Sequence, residues 1–436
     1  MKKLLIAVLI VMVSTGAAWA VGFDMTGMFY VRGSAISNET GLQESTSDPL
    51  DETADYQYYD QELDLTARIL VNDQTRVIVN FEITDQNWDR GSTDSFRSNN
   101  NQGAASGLTG DDQIAFKRVF GVHTFGNGTQ FDFGLMTGGT WATSFFETGN
   151  GRWRLKAAHP FEFGKVFAII EKNAEIGAEN TAIDDAEDDD YDAYYLAMVT
   201  KLGDINVLPL IGYSNNGAVI EDQNSGDVET VLFMLGLNGT FGDFGFEAEF
   251  DYADYTYDSN MDDPVAGTFA KDYDVVGGYF NGWMNMDAFK IGGMVAYGSW
   301  DDDGGATGAG AGFGFGEDFT PTIFGADWTN VGESSLSEYN SVTLGQIYVD
   351  YAYSEATSFT VNGTYWTSNS DDNLWEDADG FEIDLWMNYK ISDAVTYTVA
   401  AAFGEISLDP DSGLFPEITD DPDSFYRAYH RIKISF

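Results

Sequence analysis

The chain has 436 residues, with 21 Lys and Arg against 71 Asp and Glu, a formal charge of −50, no Cys, 48 Gly and 15% aromatic residues. Such an acid excess argues against nucleic acid as a partner, because phosphate binding needs a basic footprint. Without Cys there is no disulfide, no thiolate metal site and no C-x-x-C-H haem attachment, and the aromatic and glycine content does not fit a solvated acidic tail.

Residues 1–20 have the layout of a secretory signal peptide: Lys2 and Lys3, then the apolar run from Leu4 to Val13, then the small-x-small site Ala18-Trp19-Ala20. The apolar run is too short to cross a bilayer core of ~30 Å as a helix. The rest, 21–436, is expected to form one domain.

From there the chain alternates with period two. Phe23, Met25, Phe29 and Val31 share a face opposite Asp24, Thr26, Tyr30 and Arg32. Tyr59, Leu63, Leu65, Ala67 and Ile69 oppose Asp60, Glu62, Asp64, Thr66 and Arg68. Phe244, Phe246, Ala248 and Phe250 oppose Glu247, Glu249 and Asp251, and Phe381, Ile383, Leu385 and Met387 oppose Glu382, Asp384 and Trp386. Successive strand side chains point to opposite faces, so each strand has one apolar and one strongly polar face. The pattern predicts strands at 23–34, 57–71, 75–86, 112–126, 129–138, 151–161, 165–173, 191–201 and 205–214. It continues with 228–240, 244–256, 272–286, 289–299, 341–354, 358–367, 380–391, 394–404 and 424–436.

Short turns, such as 72–74, 126–128, 202–204, 242–243, 355–357 and 392–393, alternate with long polar segments such as 35–56, 87–111, 174–190, 300–340 and 405–423. A soluble sheet has no reason to keep that alternation over a whole chain. A membrane barrel does, with short periplasmic turns at one rim, long extracellular loops at the other, an apolar wall in lipid and a polar wet lumen. The expected fold class is therefore all-β, a transmembrane antiparallel β-barrel of about 18 strands. A count of 16 stays open because 151–173 and 191–214 are weakly patterned. An even count lets the sheet close without an edge in lipid.

The chain ends Tyr429-His430-Arg431-Ile432-Lys433-Ile434-Ser435-Phe436, with Ile432, Ile434 and Phe436 on one face. A final aromatic on an alternating strand resembles the carboxy-terminal signal of bacterial outer-membrane proteins, with His430 standing where an apolar residue is usual. With the leader and the turn spacing, the chain resembles a Gram-negative outer-membrane porin, in architecture rather than in a subfamily motif. The resemblance implies a homotrimer in the bacterial outer membrane, in contact with the lipid bilayer and lipopolysaccharide, assembled by machinery that reads Phe436. It implies a water-filled channel for passive diffusion of small hydrophilic solutes. It also implies that the connection 137–151, with Trp141, Phe145, Phe146 and Glu147, folds inward, Glu147 lying at the narrowing.

The basic residues are unevenly placed. Arg32, Arg68, Arg76, Lys117, Arg118, Arg152, Arg154, Lys156 and Lys165 fall on the first seven strands, and Arg427, Arg431 and Lys433 on the last. Closure gathers them into one arc, facing Glu247, Glu249, Asp251, Asp350, Glu382 and Asp384. Opposite charges facing across a low-dielectric channel set up a transverse field that favours polar solutes. The candidate pore-lining and constriction residues are Arg32, Glu62, Asp64, Arg68, Glu82, Arg118, Glu147, Arg152, Arg154 and Arg431. Lys117 and Arg118 are consecutive, so regular pleating would send one into lipid, and a bulge or snorkelling is expected there.

The acid excess and the acidic runs, 184–190 the densest, predict modest cation preference. None of these runs has EF-hand spacing, and they read as a solvated rim. The glycines of 301–316 form no phosphate-loop motif and read as a flexible outer loop. The three His form no nucleophile or metal motif, so neither an enzyme nor a cofactor is expected. Two alternatives remain: a saccharide-selective eighteen-stranded channel with an aromatic track at Tyr30, Trp141, Trp153 and Trp386, where Trp153 fits poorly because its neighbours point it to lipid, or a plugged structural or adhesive barrel.

Overall fold

The computed structural model describes residues 22–37, 56–87, 114–139, 141–146, 151–174, 190–216, 227–258, 271–302, 311–316, 319, 321–323, 341–370, 378–407 and 424–436. The leader at 1–20, Glu147 and the acidic run 184–189 lie outside the described residues.

The strands are β1 (Gly22–Ser37), β2 (Tyr56–Asn72), β3 (Thr75–Asn87), β4 (Ile114–Thr124), β5 (Gln130–Thr137), β6 (Gly151–Phe161) and β7 (Gly164–Ala174). They continue with β8 (Tyr191–Leu202), β9 (Ile205–Asn216), β10 (Asp227–Phe241), β11 (Phe244–Asp258), β12 (Tyr273–Met286) and β13 (Phe289–Gly298). A two-residue ribbon follows, β14 (Trp300–Asp301) with β15 (Ala311–Gly312). The last five are β16 (Val342–Ala352), β17 (Thr357–Ser368), β18 (Asp379–Lys390), β19 (Val395–Ser407) and β20 (Phe425–Ser435). Apart from the ribbon, all form one 18-stranded sheet. Each strand pairs antiparallel with its neighbour, β13 pairs with β16, and β20 returns to β1. The sheet is closed, so no ladder is left open to lipid. The weakly patterned stretches 151–173 and 191–214 are true strands, which makes the count eighteen rather than sixteen.

Outward side chains are apolar and exposed, among them Trp153, Leu155, Leu196, Val295 and Ile347, while Asp60, Asp132, Glu171, Asp251 and Asp384 on the inner face are buried. Cross-strand register carries one face around the barrel. Arg32 stands opposite Asp60, Asp64 opposite Glu82, and Arg154 opposite Glu171.

The expected irregularity at Lys117-Arg118 is a bulge. Asn80 pairs with Arg118 but Phe81 pairs with Phe116, leaving Lys117 as the extra residue. The extra residue breaks the strict alternation, so Lys117 reaches Glu82 in an inner-face ion pair while Arg118 keeps its inward register.

The last residue closes the wall. Gly27 N donates to Phe436 O at 2.8 Å and Phe436 N to Gly27 O at 3.0 Å. Ile432, Ile434 and Phe436 all face outward and are exposed. His430 is accommodated on that face by Tyr59, whose hydroxyl lies 3.4 Å from Nε2, with the rings edge to face at 5.7 Å.

Candidate functional site

The charged wall grows directly from strand alternation. In β6, Arg152, Arg154 and Lys156 point inward while Trp153 and Leu155 point outward, 52% and 48% exposed. Each inward cation finds an acceptor on a neighbouring strand, β7 for Arg152 and Arg154 and β5 for Lys156. Arg154 pairs with Glu171 and donates Nη1 to Thr137 O at 2.8 Å. Arg152 donates to Asn173 Oδ1 at 2.8 Å, and its Nε lies 3.9 Å from Glu171. Lys156 meets Asp132 at 3.1 Å, and Arg32 meets Asp60 at 2.9 Å.

These pairs share an asymmetry of burial. The side chains of Arg32, Lys117 and Lys156 are 18%, 40% and 29% exposed, against 0%, 10% and 4% for their carboxylate partners. The acid lies against the wall and the cation extends over it toward water, as long basic stems allow. The wall therefore presents hydrogen-bond donors to the passage, backed by fixed acceptors.

The other candidates also sit on the inner face. Asp64 accepts from Asn80 at 2.8 Å, Glu62 stands opposite Tyr30, and Arg431 places its guanidinium 5.8 Å from the Tyr30 ring centre. Arg431 also stands opposite Arg32 in register, a like-charge juxtaposition offset by Asp60 and the Tyr30 ring. Arg118 is exposed toward the lumen. Arg68 lies nearer the turn end of β2, bonded to Asp24 at 3.0 Å, with both side chains well exposed. The structure brings Arg32, Glu62, Asp64, Glu82, Arg118, Arg152, Arg154 and Arg431 onto the same inner wall and sets Arg68 toward the mouth.

The connection after β5 turns inward. Trp141 donates Nε1 to Leu208 O at 3.0 Å, and Thr143 donates both N and Oγ to Glu249 Oε2, at 2.7 and 2.5 Å. Ala142 takes a φ of 66° there, and a Cβ at Gly236 would meet the Ala142 Cβ at 2.1 Å, so a bare backbone is needed for the approach. Phe145 is fully buried, stacked 5.5 Å from Tyr279.

The segment 301–316 departs from the expected outer loop, because its described part folds inward too. Phe313 and Phe315 are 1% and 3% exposed, and both lie against Phe145. The physical cause is the run Gly312-Phe313-Gly314-Phe315-Gly316, whose rings lose water when seated against Phe145. The wall makes room at Gly277, where a Cβ would stand 2.2 Å from the Phe313 ring. Phe319 and Ile323 extend the cluster, and Pro321 O accepts from Gln346 at 2.7 Å and Asn362 at 3.1 Å. The segment does alternate with period two, but glycine rather than a polar residue separates its rings, so the pattern does not mark a wall strand; its signal is the phenylalanine content of an otherwise polar connection.

The aromatic cluster narrows the lumen on the β11–β18 side and leaves the basic wall facing the remaining space. A cavity of about 210 Å³ lies between them, lined by Trp141, Phe146, Arg152, Arg154, Tyr195 and Tyr255 among others. Of the four residues of the aromatic track, Trp153 faces outward, so the track is not continuous. Among the described residues no group of three or more His, Asp or Glu side chains could hold a metal ion.

No family model matches the chain and no curated protein matches its sequence. Solved structures do match. The BenF-like porin from Pseudomonas fluorescens Pf-5 superposes with a TM-score of 0.55 at 8% identity, covering 95% of this chain and 98% of that one. OccK3 (OpdO) of Pseudomonas aeruginosa gives 0.52 at 9%, covering 95% and 96%, and OccAB1 of Acinetobacter baumannii gives 0.51 at 12%, covering 95% and 97%. At such identities the likeness carries the fold, an outer-membrane porin barrel matched over almost the whole of both chains.

Proposed function

We propose that this barrel is an outer-membrane channel through which small hydrophilic solutes and ions diffuse passively. The observation that carries this reading is the charged inner wall, whose ion-paired cations extend over buried acids beside the space the inward connections leave. A wall fixed in this way offers donors to a passing solute without itself reorganising.

For ions, the reading keeps the modest cation preference expected from the sequence. Arg32, Lys117, Arg154 and Lys156 each lie beside a carboxylate, so their fields are largely cancelled at the distance of a permeating ion. The large acid excess of the whole chain is then not offset by the basic arc. Exposed acids act only within about a Debye length, ~8 Å at physiological salt, so the preference falls as salt rises. A homotrimer in contact with lipopolysaccharide, and assembly through Phe436, belong to the same proposal.

A plugged structural barrel is favoured by one observation, the aromatic cluster inside the lumen. Planar-bilayer conductance of the purified protein separates the two. Discrete open-channel steps support diffusion, and their absence supports the plug.

A further inference from the structure

The cavity of about 210 Å³ between the basic wall and the inward connection has two chemically distinct sides. Trp141 and Phe146 from the connection, with Tyr195 from β8, form an aromatic side. These rings are held in place. Trp141 is tied by Nε1 to Leu208 O and stands edge to face with Phe167, the ring centres 5.5 Å apart. Phe146 stacks on Phe313 at 5.0 Å, and the Arg154 guanidinium lies 5.9 Å from the Tyr195 ring centre.

The opposite side is polar and consists of Arg152, Arg154 and Glu171. Glu171 is shared between the two guanidinium groups, in direct contact with Arg154 and 3.9 Å from Arg152 Nε. Each guanidinium carries five N–H donors in one plane. Among the described residues, Asn173 takes one from Arg152, while Glu171 and Thr137 O take one each from Arg154. Both groups therefore keep donors for a ligand in the cavity, and Glu171 beside them supplies an acceptor.

We propose that this cavity is a subsite for one neutral sugar ring. A pyranose has an apolar C–H face and a rim of hydroxyls, which match the two sides of the cavity. The C–H groups meet the negative faces of the aromatic rings. Each hydroxyl both donates and accepts, so neighbouring hydroxyls take N–H groups from the arginines and give a hydrogen bond to Glu171. A carboxylate ligand would instead stand beside the charge of Glu171, which already offsets the guanidinium groups. At ~30 Å³ for each water of the liquid, the cavity holds the volume of about seven waters, the space of a single ring. Because Trp141, Phe146 and both arginines are fixed before the solute arrives, little ordering is left to oppose binding. As a station on the passage the subsite rests on the diffusion reading; as a binding site it rests on the cavity alone.

The test uses the full-length protein refolded in an amine-oxide detergent, which carries no sugar, with D-glucose followed by saturation-transfer NMR. A saturable signal from the glucose ring protons is expected. Arg152→Leu and Trp141→Leu should each weaken binding about fivefold, the loss of one hydrogen bond or one stacked face. Trp386→Leu should bind as the native protein does, because Trp386 lies on β18 beside Tyr429, away from the cavity. Circular dichroism and heat-modifiable migration identify folded variants, and Arg152→Leu carries the test if Trp141→Leu does not fold. Absence of a saturable glucose signal overturns the proposal, as does native binding by folded Arg152→Leu and Trp141→Leu. Displacement of glucose by a lower concentration of benzoate also overturns it, because the site would then be built for an anion. Open conductance steps with no glucose signal remove the subsite and keep the diffusion reading. A saturable signal from a barrel that stays closed keeps the subsite and removes that reading.

Discussion

The carbonyl of Phe145 accepts a hydrogen bond from the amide of Gly316 at 2.7 Å. The two residues belong to different connections, one following β5 and the other β13, so the narrowing of the lumen is a joint structure. Each connection is also fastened to the wall, the first by Thr143 on Glu249 and the second by Gln346 and Asn362 on Pro321 O. Disturbing either anchor therefore affects both.

Filling the wall at Gly277 is expected to expel the Phe313 ring, since a Cβ there would stand 2.2 Å from it. Gly277→Val should leave the barrel folded, because the strand ladder is untouched. The second connection loses a seated ring worth on the order of 2 kcal/mol. Single-channel conductance should rise and become noisier, and unchanged conductance would show that Phe313 does not limit the passage.

Thr143→Val removes the hydroxyl donor to Glu249 and keeps the backbone one. A hydrogen bond contributes about 0.5–1.5 kcal/mol net, so the first connection should detach more often. Limited proteolysis from the outer side should cut within 137–151 faster than in the native protein.

Arg154→Gln leaves Glu171, whose side chain is 2% exposed, without its main cation. Breaking a buried pair from one side costs about 3–5 kcal/mol, whereas replacing both partners is often near neutral. The single variant should lower the urea midpoint of the folded barrel, and Arg154→Gln with Glu171→Gln should recover most of it. A double variant as unstable as the single one would mean that Arg154 acts through packing alone.

Deleting Phe436 removes both backbone hydrogen bonds to Gly27 and the outward aromatic that ends β20. Outer-membrane levels at ordinary expression should fall, with aggregates in the periplasm. Native levels would remove the terminus from the assembly account.

The barrel was legible in the sequence because period two is a local signal, and each strand repeats it independently. Segment 151–161 coincides with β6, and the bulge at Lys117 followed from two consecutive charges that cannot both face inward in a regular pleat. The inward turn of Phe145 was expected from porin resemblance and from aromatics that need burial. Partnerships across the lumen were not legible. That Glu171 would hold Arg154, or that Gly277 would receive Phe313, depends on register and closure, which bring together residues far apart in the chain. The inward path of 311–316 was missed for the same reason, since its glycines fit a flexible loop until the wall that seats its rings is known.

The most direct test of the channel account is the zero-current potential of the purified protein in a planar bilayer across a tenfold KCl gradient. The account predicts discrete conductance steps with a potential of the sign for modest potassium preference, shrinking as both salt concentrations rise. A membrane that stays closed would contradict the channel itself. Open steps with chloride preference would mean that the exposed cations of the inner wall, rather than the acid excess, govern permeation.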